Sequence, residues 1–225
     1  MRIFYDVDTQ NDFMNANGAL YVPEAEVIKP QLGRLTLYAI MKNIKVVGSV
    51  DKHFGTPEYK TREGELSRYG GPFPDHCMDG THGQEKIDQT LFWSNKRQEG
   101  ASKLYISHAL DGTLDERFVA QFGALIKNFT EGLYFEKQSY DVFTNPNITE
   151  FLKRAGVREA IVYGVATDYC VKAAVLGMQK LGVQCYVVED AIKGITPESS
   201  RAALEEMAAA GAKFTTTQNV LEGKI

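Results

Sequence analysis

Short apolar runs alternate with stretches of helical spacing along this chain, and that alternation permits few folds. The run from Ile44 to Val50 is rich in β-branched residues, as expected of a strand covered on both faces. Arg2 to Val7, Lys103 to Ser107, Leu133 to Glu136, Ala160 to Ala166, Gln184 to Val188 and Lys213 to Thr217 read as further strands. Helical spacing appears over Glu24 to Asn43, Thr113 to Phe129, Ile148 to Ala155 and Val171 to Leu181. Thr196-Pro197-Glu198 opens a last major helix, with Thr196 as N-cap and Pro197 at the first helical position. Strands that alternate with helices predict an α/β fold, a parallel β-sheet flanked by helices on both faces in three layers. With 225 residues, 44% of them hydrophobic, the chain can bury a sizeable core. No repeat or linker divides it, so residues 1–225 read as a single domain with an elaboration around 84–132.

Bulk properties exclude several classes of partner. The net charge is −4, and no basic block or Lys/Arg stripe with interleaved aromatics marks a nucleic-acid surface. No apolar run reaches the roughly 18 to 20 residues that span a bilayer, and Met1-Arg2-Ile3-Phe4-Tyr5-Asp6 enters a strand without a signal-peptide pattern. Three cysteines, at 77, 170 and 185, make a poor disulfide framework for this length, which points to reduced thiols and a cytoplasmic location. The irregular stretch from Lys52 to Gly83 is rich in Gly, Pro, His and aromatic residues. A loop that long is usually functional or disordered, and its aromatic content argues against disorder.

In open parallel sheets ligands bind at the carboxyl ends of the strands. Asp8, Asp51, Lys137 and Cys170 all fall at such ends. Cys170 follows the strand 160–166 and the turn Thr167-Asp168-Tyr169, at the start of a helix. Unpaired backbone N–H groups and the helix dipole favour a thiolate there, whereas Asp168 opposes it. Taken alone, the segment fits a reactive thiol and a packed one equally well. A lysine that stabilises a thiolate and a carboxylate that shuttles its proton make joint chemical sense of the gathering. A second constellation joins Asp51 and His53 to His76 in Pro72-Phe73-Pro74-Asp75-His76-Cys77. Its O, N, N donors suit a divalent metal, with zinc first and iron or manganese as alternatives. Cys77 reads as buried packing, and His82 and His108 as ordinary loop histidines.

Taken together, these residues resemble the nicotinamidase (pyrazinamidase) branch of the isochorismatase-like cysteine hydrolases. The matching pieces are Asp8-Thr9-Gln10-Asn11-Asp12-Phe13, Asp51-x-His53, Pro74-Asp75-His76-Cys77-x-x-Gly80-Thr81, Lys137, and Gly164-Val165-Ala166-Thr167-Asp168-Tyr169-Cys170-Val171. The resemblance implies Cys170 as nucleophile, Asp8 as general acid/base and Lys137 as third catalytic residue. It implies metal ligation by Asp51, His53 and His76, a cis peptide between Val165 and Ala166, and an oxyanion hole from the N–H groups of Ala166 and Cys170. Phe13 and Phe73 would bind the substrate ring. The implied activity is hydrolysis of nicotinamide to nicotinate and ammonia through a thioester on Cys170. An N-carbamoyl amidohydrolase or similar amidase is the alternative, with a ligand-binding protein or a thiol redox protein further off. Three departures stand out. Phe54-Gly55-Thr56-Pro57-Glu58-Tyr59 lacks a second histidine after Asp-x-His, which leaves Glu58 or water for the vacancy. Gln138-Ser139 follows the lysine where glycine is frequent. Residues 84 to 132 form a long segment suited to cover the site or to build a homo-oligomer interface.

Overall fold

The central strands are buried end to end. In the computed structural model, β2 (Val46–Asp51) has all six residues buried, and β4 (Leu133–Lys137) all five. A strand of that kind needs cover on both faces, which a parallel sheet with crossover helices supplies. The structure describes residues 1–91, 104–107, 113, 114, 117, 119, 120 and 132–225. Within them, β1 (Arg2–Val7), β2, β3 (Leu104–Ile106), β4, β5 (Glu159–Val165), β6 (Gln184–Lys193) and β7 (Lys213–Thr215) form one sheet in the order β3-β4-β2-β1-β5-β6-β7. Every neighbouring pair is parallel.

The period of two along each strand divides the core. Ile3, Tyr5 and Val7 face α3 (Pro146–Arg154), α4 (Lys172–Lys180) and α5 (Pro197–Ala209), through residues such as Phe151, Val175 and Met207. Phe4, Val46 and Tyr163 face the other way, toward Leu32, Leu35 and Ala39 of α2 (Lys29–Met41) and Val220 of α6 (Thr217–Leu221). A short helix, α1 (Asn11–Met14), follows β1. Among the described residues no helix is long and apolar enough to cross a membrane.

Several boundaries differ from the sequence reading. The segment from Glu24 begins as a 3-10 turn, Ala25–Ile28, before α2. The helix expected from Val171 is preceded by a π turn, Thr167–Val171, so Cys170 lies on that turn rather than in α4. β6 runs on to Lys193 past the two exposed acids Glu189 and Asp190, which end its apolar run early in sequence. The predicted helix over Thr113 to Phe129 lies largely outside the described residues, as does His108, and the long elaboration only partly falls within them. Residues 52–83 are built of short 3-10 turns and bridges, including Leu66 paired with Phe73 and His53 with Met78.

The strand order places a crevice. From β1 the chain moves outward through α2 to β2 on one side, and from β5 through α4 to β6 on the other. Their carboxyl ends therefore diverge at the β1–β5 boundary, the position where open α/β sheets bind ligands. Gly164 lets the two strands approach there. Its φ is +121°, and a Cβ would stand 2.0 Å from the Val7 carbonyl oxygen.

Candidate active site

Asp8 ends β1 with a left-handed turn (φ +46°), which aims its carboxylate into the crevice. One oxygen, Oδ1, accepts a 2.7 Å hydrogen bond from the Ser49 hydroxyl, and Oδ2 lies 2.9 Å from Lys137 Nζ. Lys137 is paired in register with Asp51 across β4 and β2, and its ammonium donates to Asp51 Oδ1 as well. Cys170 Sγ is 3.6 Å from the same nitrogen, and lies within 4.8 Å of carboxylate oxygens of both Asp8 and Asp51. The four strand-end residues picked out in sequence thus meet at one point.

Electrostatics assign resting protonation states. Burial works against the Lys137 charge, but Asp51, Asp8 and Cys170 raise it well above its ordinary value, so it stays an ammonium. Burial pushes the Cys170 thiol well up, and Lys137 only partly opposes this. Desolvation thus works against the thiolate more strongly than Lys137 favours it. Burial also raises Asp8 above the usual carboxylate range against the pull of Lys137. A raised carboxylate is the better proton acceptor once ionised, which suits exchange with an adjacent thiol. Asp51 is buried too, yet Lys137, His76 and His53 hold it well below the ordinary range.

Beside this group Asp51, His53, Glu65 and His76 each offer a ligand atom within 4.8 Å of the others. His76 Nδ1 sits 2.8 Å from the Pro74 carbonyl and donates to it, which leaves Nε2 facing Asp51 Oδ2 at 3.5 Å and Glu65 Oε1 at 3.9 Å. His53 Nε2 faces Glu65 Oε1 at 3.5 Å, and its Nδ1 faces Glu63 Oε1 at 3.8 Å. Both His53 ring nitrogens are fully buried without a hydrogen-bond partner. Burial opposes charging the ring, but Glu63, Glu65 and Asp51 push its pKa up to about 9. A dry imidazole with unsatisfied nitrogens among carboxylates is a site that wants a cation, and two imidazoles with two carboxylates fit zinc or another divalent metal. Glu63 accepts from the Phe54 and Gly55 N–H groups at 2.5 and 3.0 Å, so it is fixed where it can orient His53.

The fourth residue of this group is Glu65; Glu58 stands outside it, exposed on the 3-10 turn Pro57–Tyr59. An acid in a long loop carries no spacing signal, so sequence alone could not single it out. Cys77 is fully buried outside the ligand group, and exposed His82 pairs with Glu85.

One cleft, lined by Phe13, Leu20, Phe73, Tyr140, Tyr169 and Ile195, is also bordered by Asp51, Glu65, His76, Ala166 and Cys170 of the two constellations. Phe13 sits 5.5 Å from the His76 ring, and Phe73 and Tyr140 meet Tyr169 edge-on at 5.5 and 6.1 Å. Tyr140, Leu20 and Ile195 escaped the sequence reading. The Val165–Ala166 peptide is cis, and Ala166 and Cys170 both border the cleft.

Comparison with known proteins gives a consistent neighbourhood. The isochorismatase domain model matches residues 6–219. A nicotinamidase of Escherichia coli (strain K12) is 30% identical over 223 residues, covering 93% of this chain and 92% of its own. A nicotinamidase/pyrazinamidase of Mycobacterium tuberculosis is 26% identical over 221 residues, covering 95% and 98%. The crystal structure of a pyrazinamidase of Pyrococcus horikoshii in complex with zinc superposes with a TM-score of 0.70 at 28% identity, covering 96% of this chain and 98% of that one.

Proposed function

The chain belongs to the isochorismatase family, in its nicotinamidase branch, and from that premise we propose that it hydrolyses nicotinamide to nicotinate and ammonia with Cys170 as nucleophile. The observation that carries this reading is the contact of Cys170, which borders an aromatic-lined cleft, with the buried Lys137–Asp8 pair behind it, beside a group of residues able to hold a metal.

In this reading the substrate ring enters between Phe13 and Phe73. Asp51, His53, Glu65 and His76 would hold a divalent metal, which would supply a Lewis acid beside the ring. Asp8 takes the Cys170 proton, and the sulfur attacks the amide carbon. Lys137 stabilises the thiolate as it forms. The backbone N–H groups of Ala166 and Cys170 receive the developing oxyanion, an interaction typically worth about 3 to 4 kcal/mol per donor. Asp8 returns the proton to nitrogen, the C–N bond breaks, and ammonia leaves a thioester. Water then attacks as Asp8 accepts its proton, the C–S bond breaks, and Asp8 reprotonates the thiolate. Burial raises Asp8, which makes its carboxylate a better proton acceptor in each of these transfers.

Ammonia release from nicotinamide tests the reading directly. Release is expected from the purified protein, to fall on chelation, to return with added zinc, and to vanish in Cys170→Ala while that variant still unfolds cooperatively. Activity retained in Cys170→Ala would overturn the nucleophile. Release indifferent to verified metal removal would overturn the metal's role and leave the hydrolase.

A further inference from the structure

Asp168 lies two residues before the proposed nucleophile, yet its carboxylate is turned away from it. The charges that bear most on Cys170 are those of Lys137, Asp8 and Asp51. Asp168 is only 7% exposed. Its Oδ1 and Oδ2 accept from the backbone N–H of Ile195 at 3.1 and 3.2 Å, and Oδ2 accepts from the Ser199 hydroxyl at 2.5 Å. Ile195 lines the cleft together with Phe13, Phe73 and Tyr169.

Capping of α5 does not explain this arrangement. Thr196 is the N-cap, and its own hydroxyl accepts from the Ser199 N–H at 3.1 Å. Asp168 instead grips the residue before the cap. An apolar residue at that position ordinarily packs on the fourth helical residue, which here is Ser200. Ile195 is thereby left to face the cleft. The approach is close: a Cβ on Gly194 would stand 2.9 Å from Asp168 Oδ1 and 2.1 Å from Ser200 Oγ. The carboxylate also sits at the amino end of a thirteen-residue helix, where negative charge is favoured.

We propose that Asp168 is a positioning residue that fixes the Ile195 wall of the cleft, and through that wall sets the width of acyl group that reaches Cys170. The consequence for substrates rests on the amide-hydrolase reading; the wall itself does not. Removing the carboxylate frees the 194–196 backbone, widens the cleft and leaves the thiol's own chemistry unchanged.

The test compares alkylation of Cys170 by iodoacetamide and by the bulkier N-benzyl iodoacetamide, with the modified cysteine identified by mass spectrometry. Asp168→Ala is expected to raise the ratio of bulky to small reagent rates about tenfold, the scale of a lost charge-assisted hydrogen bond. Ile195→Ala should do the same, and the double variant no more than either, since both act on one wall. Asp168→Asn keeps an acceptor for the Ile195 N–H and should restore most of the wild-type ratio. In the hydrolase assay Asp168→Ala should raise KM for nicotinamide with kcat nearly unchanged. Should Asp168→Ala fail to fold, Ser199→Ala removes one of the two partners that hold the carboxylate and should raise the reagent ratio about threefold. An unchanged ratio in these variants overturns the proposal. So does an equal change for both reagents with a shifted alkylation pH profile, which would place Asp168 on the thiolate. Absence of ammonia release from the wild type would overturn the amidase reading alone, because the reagent ratio requires no substrate.

Discussion

Lys137 is a fully buried ammonium held between two carboxylates and a thiol, and its removal should cost more than the loss of one contact. Buried ion groups are dear to desolvate, and deleting one partner strands the others without compensation, at about 3 to 5 kcal/mol. Lys137→Met should therefore lower unfolding free energy by about that amount at neutral pH, besides abolishing turnover. The pH dependence follows from sign. Without the ammonium, Asp8 loses its chief lowering partner beside the Asp51 carboxylate, and its folded-state pKa, already raised by burial, rises further above the unfolded value of about 4. A carboxylate raised in the folded state costs stability above its unfolded pKa and recovers it when protonated. The deficit of the variant should thus shrink as pH falls from 7 toward 5. Chemical denaturation at several pH values checks this, and a deficit constant across that range would mean that the carboxylates find another cation.

At the scale of elements, the end of β2 is completed by a side chain. β1 stops at Val7, and the Gln10 amide takes over where its next backbone pair would be. Gln10 Oε1 accepts from the Asp51 N–H and its Nε2 donates to the Asp51 carbonyl, both at 2.7 Å, with a further donation to Gln84 at 2.8 Å. Asp51 is the residue shared by Lys137 and the metal donors, so its backbone must not drift. Gln10→Ala should weaken zinc binding about 10- to 100-fold, the usual range for losing a partner that orients a ligand. Competition with a chromophoric chelator measures this; unaltered affinity would show that the sheet alone holds Asp51. The strands were legible because runs such as Ile44 to Val50 are apolar on both faces. The pair Asp51 and His53 stood out in sequence because it falls where such a strand ends. Glu65 was not, since nothing in a loop's composition tells which acid folds back onto the sheet edge. The π turn at Cys170 was invisible for a related reason, because side-chain periodicity does not report which carbonyl an N–H reaches.

The whole molecule joins two halves of a sheet at the crevice, while the four residues proposed to hold the metal come from β2 and from the loop that follows it. His53, Glu65 and His76 span more than twenty residues of chain that carry only short 3-10 turns and isolated bridges. The loop is pinned by Leu66, fully buried, and by backbone bonds such as Phe73 N–H to the Glu65 carbonyl at 3.0 Å and Asp79 N–H to the His53 carbonyl at 2.7 Å. Such a segment has little apolar burial of its own, so a cation shared by three of its residues and by β2 should contribute to the stability of the fold. A ligand that binds only the folded state adds about 2.7 kcal/mol at one hundred times its Kd. For a chain of this size that corresponds to a rise in Tm of about 5 to 10 °C. Zinc added to the stripped protein should produce that rise, and His76→Ala should abolish most of it while leaving the Tm of the stripped form nearly unchanged. Equal melting with and without zinc, at saturating metal, would mean that the loop is held entirely by its backbone bonds and that Asp51, His53, Glu65 and His76 do not act as one cation site.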